Sequence, residues 1–350
     1  MLSGCILDYL TKTMGIDRPS ICLIGLGGTV SAHHADSLEL CNYQSGHYAL
    51  ADILAKLPAL TELATIYPYQ LSNVSSTAIS LCHWFNLKHL LEQQLAQPHI
   101  KGAVITHGTN TLEETAYFLQ LTLTTDKPVI LTGSQRPFSA LGSDADFNLI
   151  NSVRVAIADS ARGKGVLVVA NDKIYSANDV SKTHSYHLET FQARNGGPLG
   201  SIDADRQVRF WQQPVQQPLA KPEFRQLTAP DNSPFVPIIY SHAGADQQVI
   251  EALLTHTTLD GLVIAGTGAG RCSPLEEAAI AKARANHIPV VMSSRTGAGV
   301  VLPIACYQTL GLITLEHLSP QQARIWLILE LLLKAQSGSL TVSSNAASAD

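Results

Sequence analysis

Short apolar runs that stop at glycine alternate along this chain with segments of helical period. Ile21–Ser31 reads ICLIGLGGTVS, an unbroken apolar stretch running into Gly27-Gly28-Thr29. Gly102–Thr106 (GAVIT), Pro128–Thr132 (PVILT) and Gly165–Ala170 (GVLVVA) have the same character, and Ala64–Leu71 adds a further strand. Runs without alternation belong to strands covered on both faces, as in parallel sheets. Between them, Leu50–Leu63 has a helical period broken at Pro58. Thr77–Leu95, Leu112–Thr124 and Phe147–Ala158 read as amphipathic helices, the second with Leu112, Ala116, Leu119 and Leu123 on one face. Strands alternating with helices of this length predict βαβ units and a parallel sheet.

The rhythm breaks over residues 211–234, which carry Pro214, Pro218, Pro222, Pro230 and Pro234 and no sustained period. It restarts with Val236–Tyr240, Gln247–Leu254, Gly261–Ala265, Leu275–Asn286 and Ile288–Ser293, and a last helix is predicted from Pro320 to about Lys334. The expected fold class is therefore α/β: a larger N-terminal, mostly parallel sheet domain flanked by helices, plus a smaller C-terminal α/β domain. The expected divisions are an N-terminal extension (1–20), the first domain (21–211), a linker (212–235), the second domain (236–336) and a disordered tail (337–350).

Composition narrows the function without naming it. The 350 residues are 45% hydrophobic and 15% charged, with a formal net charge of -5. Nothing in that balance favours nucleic acid or an acidic membrane as a partner, so a small-molecule substrate is expected. No apolar run reaches the ~18 residues that span a bilayer. The opening MLSGCILDYL lacks a basic n-region, so Leu2-Ser3-Gly4-Cys5 is not read as a lipobox and a cytoplasmic location is expected. Cys5, Cys22, Cys41, Cys82, Cys272 and Cys306 form no C-x-x-C pair and read as mostly buried small hydrophobes. Residues 31–49 are polar and patternless, as a functional lid would be; His33 and His34 read as loop residues there, and no metal site is expected.

Candidate chemistry sits at the strand ends. In open α/β sheets ligands bind outside the carboxyl ends of the strands. Thr29 lies just beyond one such end and Thr109, in His107-Gly108-Thr109-Asn110, beyond another; neighbouring strands would turn both hydroxyls to one crevice. Thr111 and Glu114 have the spacing of a capping box. A hydroxyl attacks a carbonyl only with a base nearby, and a desolvated lysine can serve. Lys182 falls in the loop expected after the GVLVVA strand. Gly25-Leu26-Gly27 lacks the third glycine of a dinucleotide fingerprint, with Val30 in its place, and argues against a nicotinamide or flavin cofactor.

With these motifs in order the chain resembles the bacterial-type L-asparaginase/glutaminase amidohydrolases over nearly its whole length. Gly27-Gly28-Thr29-Val30 resembles the first signature of that family, and His107-Gly108-Thr109-Asn110-Thr111 through Tyr117-Phe118 the second. Gly165–Asp172, Val180-Ser181-Lys182-Thr183 and Gly197-Pro198-Leu199-Gly200 follow in the family's order. The resemblance implies Thr29 as a nucleophile forming an acyl-enzyme and Tyr43 as its lid partner. It implies Thr109 and Lys182 as the activating pair, and Ser72, Asn73 and Asn110 at the substrate-binding positions. It implies no metal or organic cofactor, and a homo-oligomer, a dimer of dimers, with shared active sites.

The chain departs from the pattern where the family grips an α-ammonium. Asn110 and Asn73 stand at positions the family fills with Asp and with Gln or Glu, and residues 296–309, where a neighbouring subunit's acid is expected, contain no Asp or Glu. Three substrates are therefore weighed: the side-chain amide of L-asparagine, that of glutamine, and an asparagine-like amide whose amino group is absent or acylated. A catalytically weak homologue that only binds small molecules is the alternative outside enzymology. Losing a carboxylate beside Lys182 is expected to lower its pKa.

Overall fold

The computed structural model describes residues 18–214 and 221–346. The expected N-terminal extension and the last four residues of the expected tail lie largely or wholly outside that range. In chain order the strands of the first half are β1 (Ser20–Gly27), β2 (Thr65–Val74), β3 (Ile100–Thr106), β4 (Val129–Thr132), β5 (Val166–Ala170), β6 (Lys173–Ser176), β7 (Val180–Lys182), β8 (Phe191–Ala193), β9 (Gly200–Ile202) and β10 (Val208–Phe210). Its helices are α1 (Leu50–Lys56), α2 (Ala59–Leu63), α3 (Leu81–Leu95), α4 (Leu112–Thr122) and α5 (Ala145–Ile157). Eight strands form one sheet in the order β10-β9-β6-β5-β4-β3-β1-β2, parallel from β5 to β2 and antiparallel at the β10-β9-β6 edge.

The apolar runs are continuous because both faces of this sheet are covered. From β1, Cys22, Ile24 and Leu26 pack with Trp84, Tyr117 and Phe118 on one face, while Ile21 and Leu23 pack with Ile53, Leu60 and Leu149 on the other. That is the period-two alternation of a strand with an apolar neighbour on each side.

The second half contains β11 (Ile238–Tyr240), α6 (Gln248–His256), β12 (Leu262–Gly266), α7 (Pro274–Ala285), β13 (Val290–Ser294), α8 (Ala305–Thr309), β14 (Ile313–Thr314) and α9 (Pro320–Ala346). Its four strands make a parallel sheet in the order β11-β12-β13-β14. α9 returns to the first half, and Trp326, Ile328 and Leu329 share one apolar core with Tyr117 and Phe118 of α4 and with Val263 and Val291 of the second sheet. Polar ties cross the same seam: Arg194 Nη2 donates to Gln322 Oε1 at 2.6 Å, and Gln322 Nε2 donates to the Asn178 carbonyl at 3.1 Å.

Several local expectations are corrected. The helix expected from Thr77 begins at Leu81, because residues 76–78 form a 3-10 turn that carries the chain from the end of β2 toward Gly108 at the end of β3. The last helix continues past Lys334 to Ala346, so the tail expected to be unstructured from residue 337 carries helical backbone as far as the described residues extend. Once a helix is nucleated, each added residue costs little. Lys182 is the last residue of β7, which pairs with β8 as an antiparallel hairpin, and is not in a loop. Of the described cysteines Cys22 is buried, but Cys41, Cys82 and Cys306 are exposed. Their places on a loop and on outward helix faces outweigh the residue's general preference for the interior.

Candidate active site

The parallel strands run in the order β2-β1-β3-β4-β5, so the chain leaves β1 in one direction and β3 in the other. That reversal is a topological switch point, where α/β sheets open a crevice at the carboxyl ends of the two strands. Thr29 and Thr109 follow those two ends, and the backbones touch between them. Gly28 adopts φ 85°, ψ -162°, a conformation essentially confined to glycine. A Cβ on Gly28 would stand 2.2 Å from the Gly108 Cα, and one on Gly108 would stand 2.8 Å from Ser76 Oγ. Glycine is needed at both positions because three chain segments converge on one point.

Beyond Gly28 the chain turns through a single 3-10 turn, Thr29–Ser31, and Thr29 is 8% exposed. The following loop folds back over it. His33 and Gln44 exchange backbone hydrogen bonds, and Tyr48 N–H donates to the Ser31 carbonyl at 2.9 Å. The loop brings the Tyr43 hydroxyl to 3.1 Å from Thr29 Oγ1. His33 and His47 stack at 4.4 Å, and His33 Nδ1 lies 2.9 Å from the Tyr48 hydroxyl, so the histidines pack the lid.

On the other side of the glycine contact, Lys182 Nζ donates to Thr109 Oγ1 at 2.8 Å and to Asn110 Oδ1 at 2.9 Å. The Thr109 hydroxyl donates onward to Gln135 Oε1 at 2.9 Å. Gln135 lies beyond β4, the next strand over, and its N–H donates to the Asp144 carboxylate at 3.0 Å. Burial lowers the Lys182 pKa, and the nearby Glu113 carboxylate opposes that shift. The direction is the one expected, but the cause differs. A carboxylate does lie close by, and desolvation outweighs it. Glu113 accepts the Lys182 backbone N–H, and its own pKa is raised, chiefly by burial.

His107 sets the turn that presents Thr109. It is fully buried, and burial lowers its pKa to about 4, so the ring is neutral. A carbonyl can only accept, so Nδ1 donates to the Gly108 carbonyl at 2.7 Å. Nε2 accepts from the Thr115 hydroxyl at 2.8 Å, and Thr115 accepts in turn from Trp84 Nε1 at 2.8 Å. The expected capping box is absent. The Thr111 hydroxyl donates to the Ser76 carbonyl at 2.8 Å, and Glu114 is half-buried with its pKa raised by desolvation to about 7.

Thr29, Tyr43, Thr109, Asn110 and Lys182 thus gather around the switch point; Ser72 and Asn73 do not join them. Ser72 Oγ donates to the Leu26 carbonyl at 3.0 Å, within the sheet, and Asn73 Nδ2 donates to the Gly46 carbonyl at 2.9 Å, tethering the lid. Ser76, buried against Gly108, is the serine at the junction. A cleft of about 600 Å³ opens beside the group and is lined by Tyr43, Thr109, Asn110, Glu113, Gln135 and Lys182 among others. Neither Ser72 nor Asn73 lines it. A larger cleft of about 820 Å³ near Arg154 and Arg206 contains none of these residues.

Residues 20–216 match the model of the asparaginase N-terminal domain, and residues 235–339 match that of the glutaminase/asparaginase C-terminal domain. The chain is 36% identical over 315 residues to L-asparaginase 2 of Bacillus subtilis, covering 90% of this chain and 83% of the relative. It is 33% identical to L-asparaginase 2 of Escherichia coli, covering 89% of each. Among solved structures it resembles a probable cytoplasmic L-asparaginase from Campylobacter jejuni, with a TM-score of 0.83 and 35% identity over 90% of this chain and 95% of that one.

Proposed function

The chain belongs to the asparaginase family of amidohydrolases, and on that premise we propose that it releases ammonia from a short side-chain amide through an acyl-enzyme on Thr29. The observation that carries the proposal is the pairing of Thr29 with Tyr43 on one side of the Gly28–Gly108 contact and of Thr109 with Lys182 on the other. Thr29 Oγ1 attacks the amide carbonyl, and as its proton passes to the Tyr43 oxygen the Tyr43 hydroxyl hands its own proton on to the amide nitrogen. The tetrahedral intermediate expels the amide nitrogen as ammonia once that nitrogen has gained a proton, leaving an ester on Thr29. Water then gives a proton to the Lys182–Thr109 pair and attacks the ester, which frees the acid and restores Thr29. Lys182, desolvated and lowered in pKa, is suited to the base role.

These side chains carry the chemistry without a metal or organic cofactor, as the family likeness implies. Asparagine and glutamine are the reference substrates. Two further parts complete the proposal: assembly as a dimer of dimers with shared sites, and a cytoplasmic location, matching the probable cytoplasmic L-asparaginase of C. jejuni. The test is ammonia release from a panel of short amides by the wild type, Thr29→Ala and Thr109→Ala. Turnover that falls by about 10²-fold or more in both variants supports the assignment. Turnover that survives Thr29→Ala refutes it, and a wild type that binds the amides but releases no ammonia is a binding protein.

A further inference from the structure

The amide of Asn110 can point only one way. As an ammonium, Lys182 Nζ carries three donors and no acceptor, so the atom of Asn110 that it meets at 2.9 Å is the oxygen. Nδ2 is thereby turned away from Lys182. Asn110 is exposed on the cleft wall, and among the described residues no acceptor takes its Nδ2 hydrogens. The other groups there reinforce this polarity. Gln135 spends Oε1 on Thr109, and its Nε2 donates to the His187 carbonyl at 3.2 Å. His184 Nδ1 accepts the backbone N–H groups of Tyr186 at 3.1 Å and of His187 at 3.0 Å, which leaves its other ring nitrogen as the N–H donor. Glu113, the one carboxylate in the lining, is already occupied by the Lys182 N–H and the Ser181 side chain. The cleft therefore offers hydrogen-bond donors beside a lysine, and no free carboxylate to receive a cation.

We infer that Asn110, oriented by Lys182, selects side-chain amides whose α-substituent is an uncharged or anionic hydrogen-bond acceptor (keto, hydroxyl or acylamino) over those bearing an α-ammonium. This selectivity rests on the hydrolytic function proposed above. An ammonium placed against Asn110 Nδ2 meets two donors and the Lys182 charge, whereas an oxygen acceptor pairs with the Nδ2 hydrogens. Hydrogen bonds to charged groups are worth enough that the wrong partner costs roughly ten- to a hundredfold in affinity.

The test measures kcat/KM for asparagine, succinamate, 2-hydroxysuccinamate, 2-oxosuccinamate and N-acetyl-asparagine with the wild type and Asn110→Asp. The wild type is expected to favour at least one acceptor-bearing amide over asparagine by about tenfold or more. Succinamate should fall between them, and Asn110→Asp should move the ratio toward asparagine by a similar factor. Asparagine as the best wild-type substrate, or an Asn110→Asp variant with an unchanged ratio, overturns the inference. Calorimetric binding of 2-hydroxysuccinate and aspartate separates this proposal from the hydrolytic one because it needs no turnover. Tighter binding of the hydroxy acid supports the selectivity even if no amide is hydrolysed. Equal or tighter binding of aspartate overturns the selectivity even if hydrolysis is confirmed.

Discussion

Gly28→Ala puts the meeting of β1 and β3 under direct strain. At φ 85°, ψ -162° an alanine occupies a region essentially reserved for glycine, costing about 1–3 kcal/mol. Its Cβ would also stand 2.2 Å from Gly108 Cα and 2.3 Å from Gly108 N, both backbone atoms that cannot rotate aside. Forced overpacking of that kind adds about 1–3 kcal/mol. Together they destabilise the fold by roughly 2–6 kcal/mol, which for a domain of this size lowers Tm by about 5–20 °C. Gly163 is the control: it has φ 70°, and an added Cβ meets nothing within 4 Å, so Gly163→Ala carries the backbone cost alone. Differential scanning calorimetry of both variants reads the difference. Because the two strand ends must separate, the threonines should shift by a sizeable fraction of an ångström, and a displacement near 1 Å costs about 10²-fold in rate. A Gly28→Ala protein with the Tm of Gly163→Ala and wild-type ammonia release would refute the close approach.

Two further perturbations address the charges. If neutral Lys182 is the base, kcat/KM rises with pH through its pKa, and Glu113→Gln removes the neighbour that raises that pKa; the rising limb should move to lower pH, and a shift to higher pH contradicts the arrangement. His107 keeps a pKa of about 4 in the fold, below its ordinary value of 6.5, so the unfolded chain takes up a proton first as pH falls. The stability it supports is intact above pH 6.5 and is lost as pH drops toward 4, roughly 2 kcal/mol of it between pH 7 and 5. Urea unfolding at those two pH values should show a smaller loss for His107→Gln than for the wild type, and equal losses would show that the ring does not carry the effect.

What could be read from the residues alone, and what could not, follows from the range of each interaction. The five parallel strands of the first sheet and three strands of the second were legible because runs such as ICLIGLG are apolar on both faces, while β6, β9, β10 and β14 are short and leave no such run; Thr29 and Thr109 were legible because a glycine turn with a hydroxyl marks a strand end. The choice of serine was not legible. LSNVSSTA offers Ser72, Ser75 and Ser76, and only the register of β2 on β1, sealed by Gly28 N–H donating to the Val74 carbonyl at 2.9 Å, decides which one meets Gly108. Gln135 was missed because its bond to Thr109 depends on β4 lying beside β3; its one local signal was a place just past the strand end at Gly133. Glu113 sits next to the residue read as a cap, and its role arises only when the β7 hairpin folds onto α4. Lys182 was expected in a loop because three residues are too few to show a strand period.

The mechanism turns on an ester at Thr29, and trapping that ester tests it most directly. Thr109→Val removes the hydroxyl that links Lys182 to Gln135 and should slow deacylation more than attack. Rapid acid quench of this variant during turnover of a hydrolysed amide, followed by peptide mass spectrometry, should find the substrate's acyl group on the Thr29 peptide, with ammonia released in a stoichiometric burst. Ammonia release with that peptide unmodified and the acyl group on another residue or on none would contradict the mechanism.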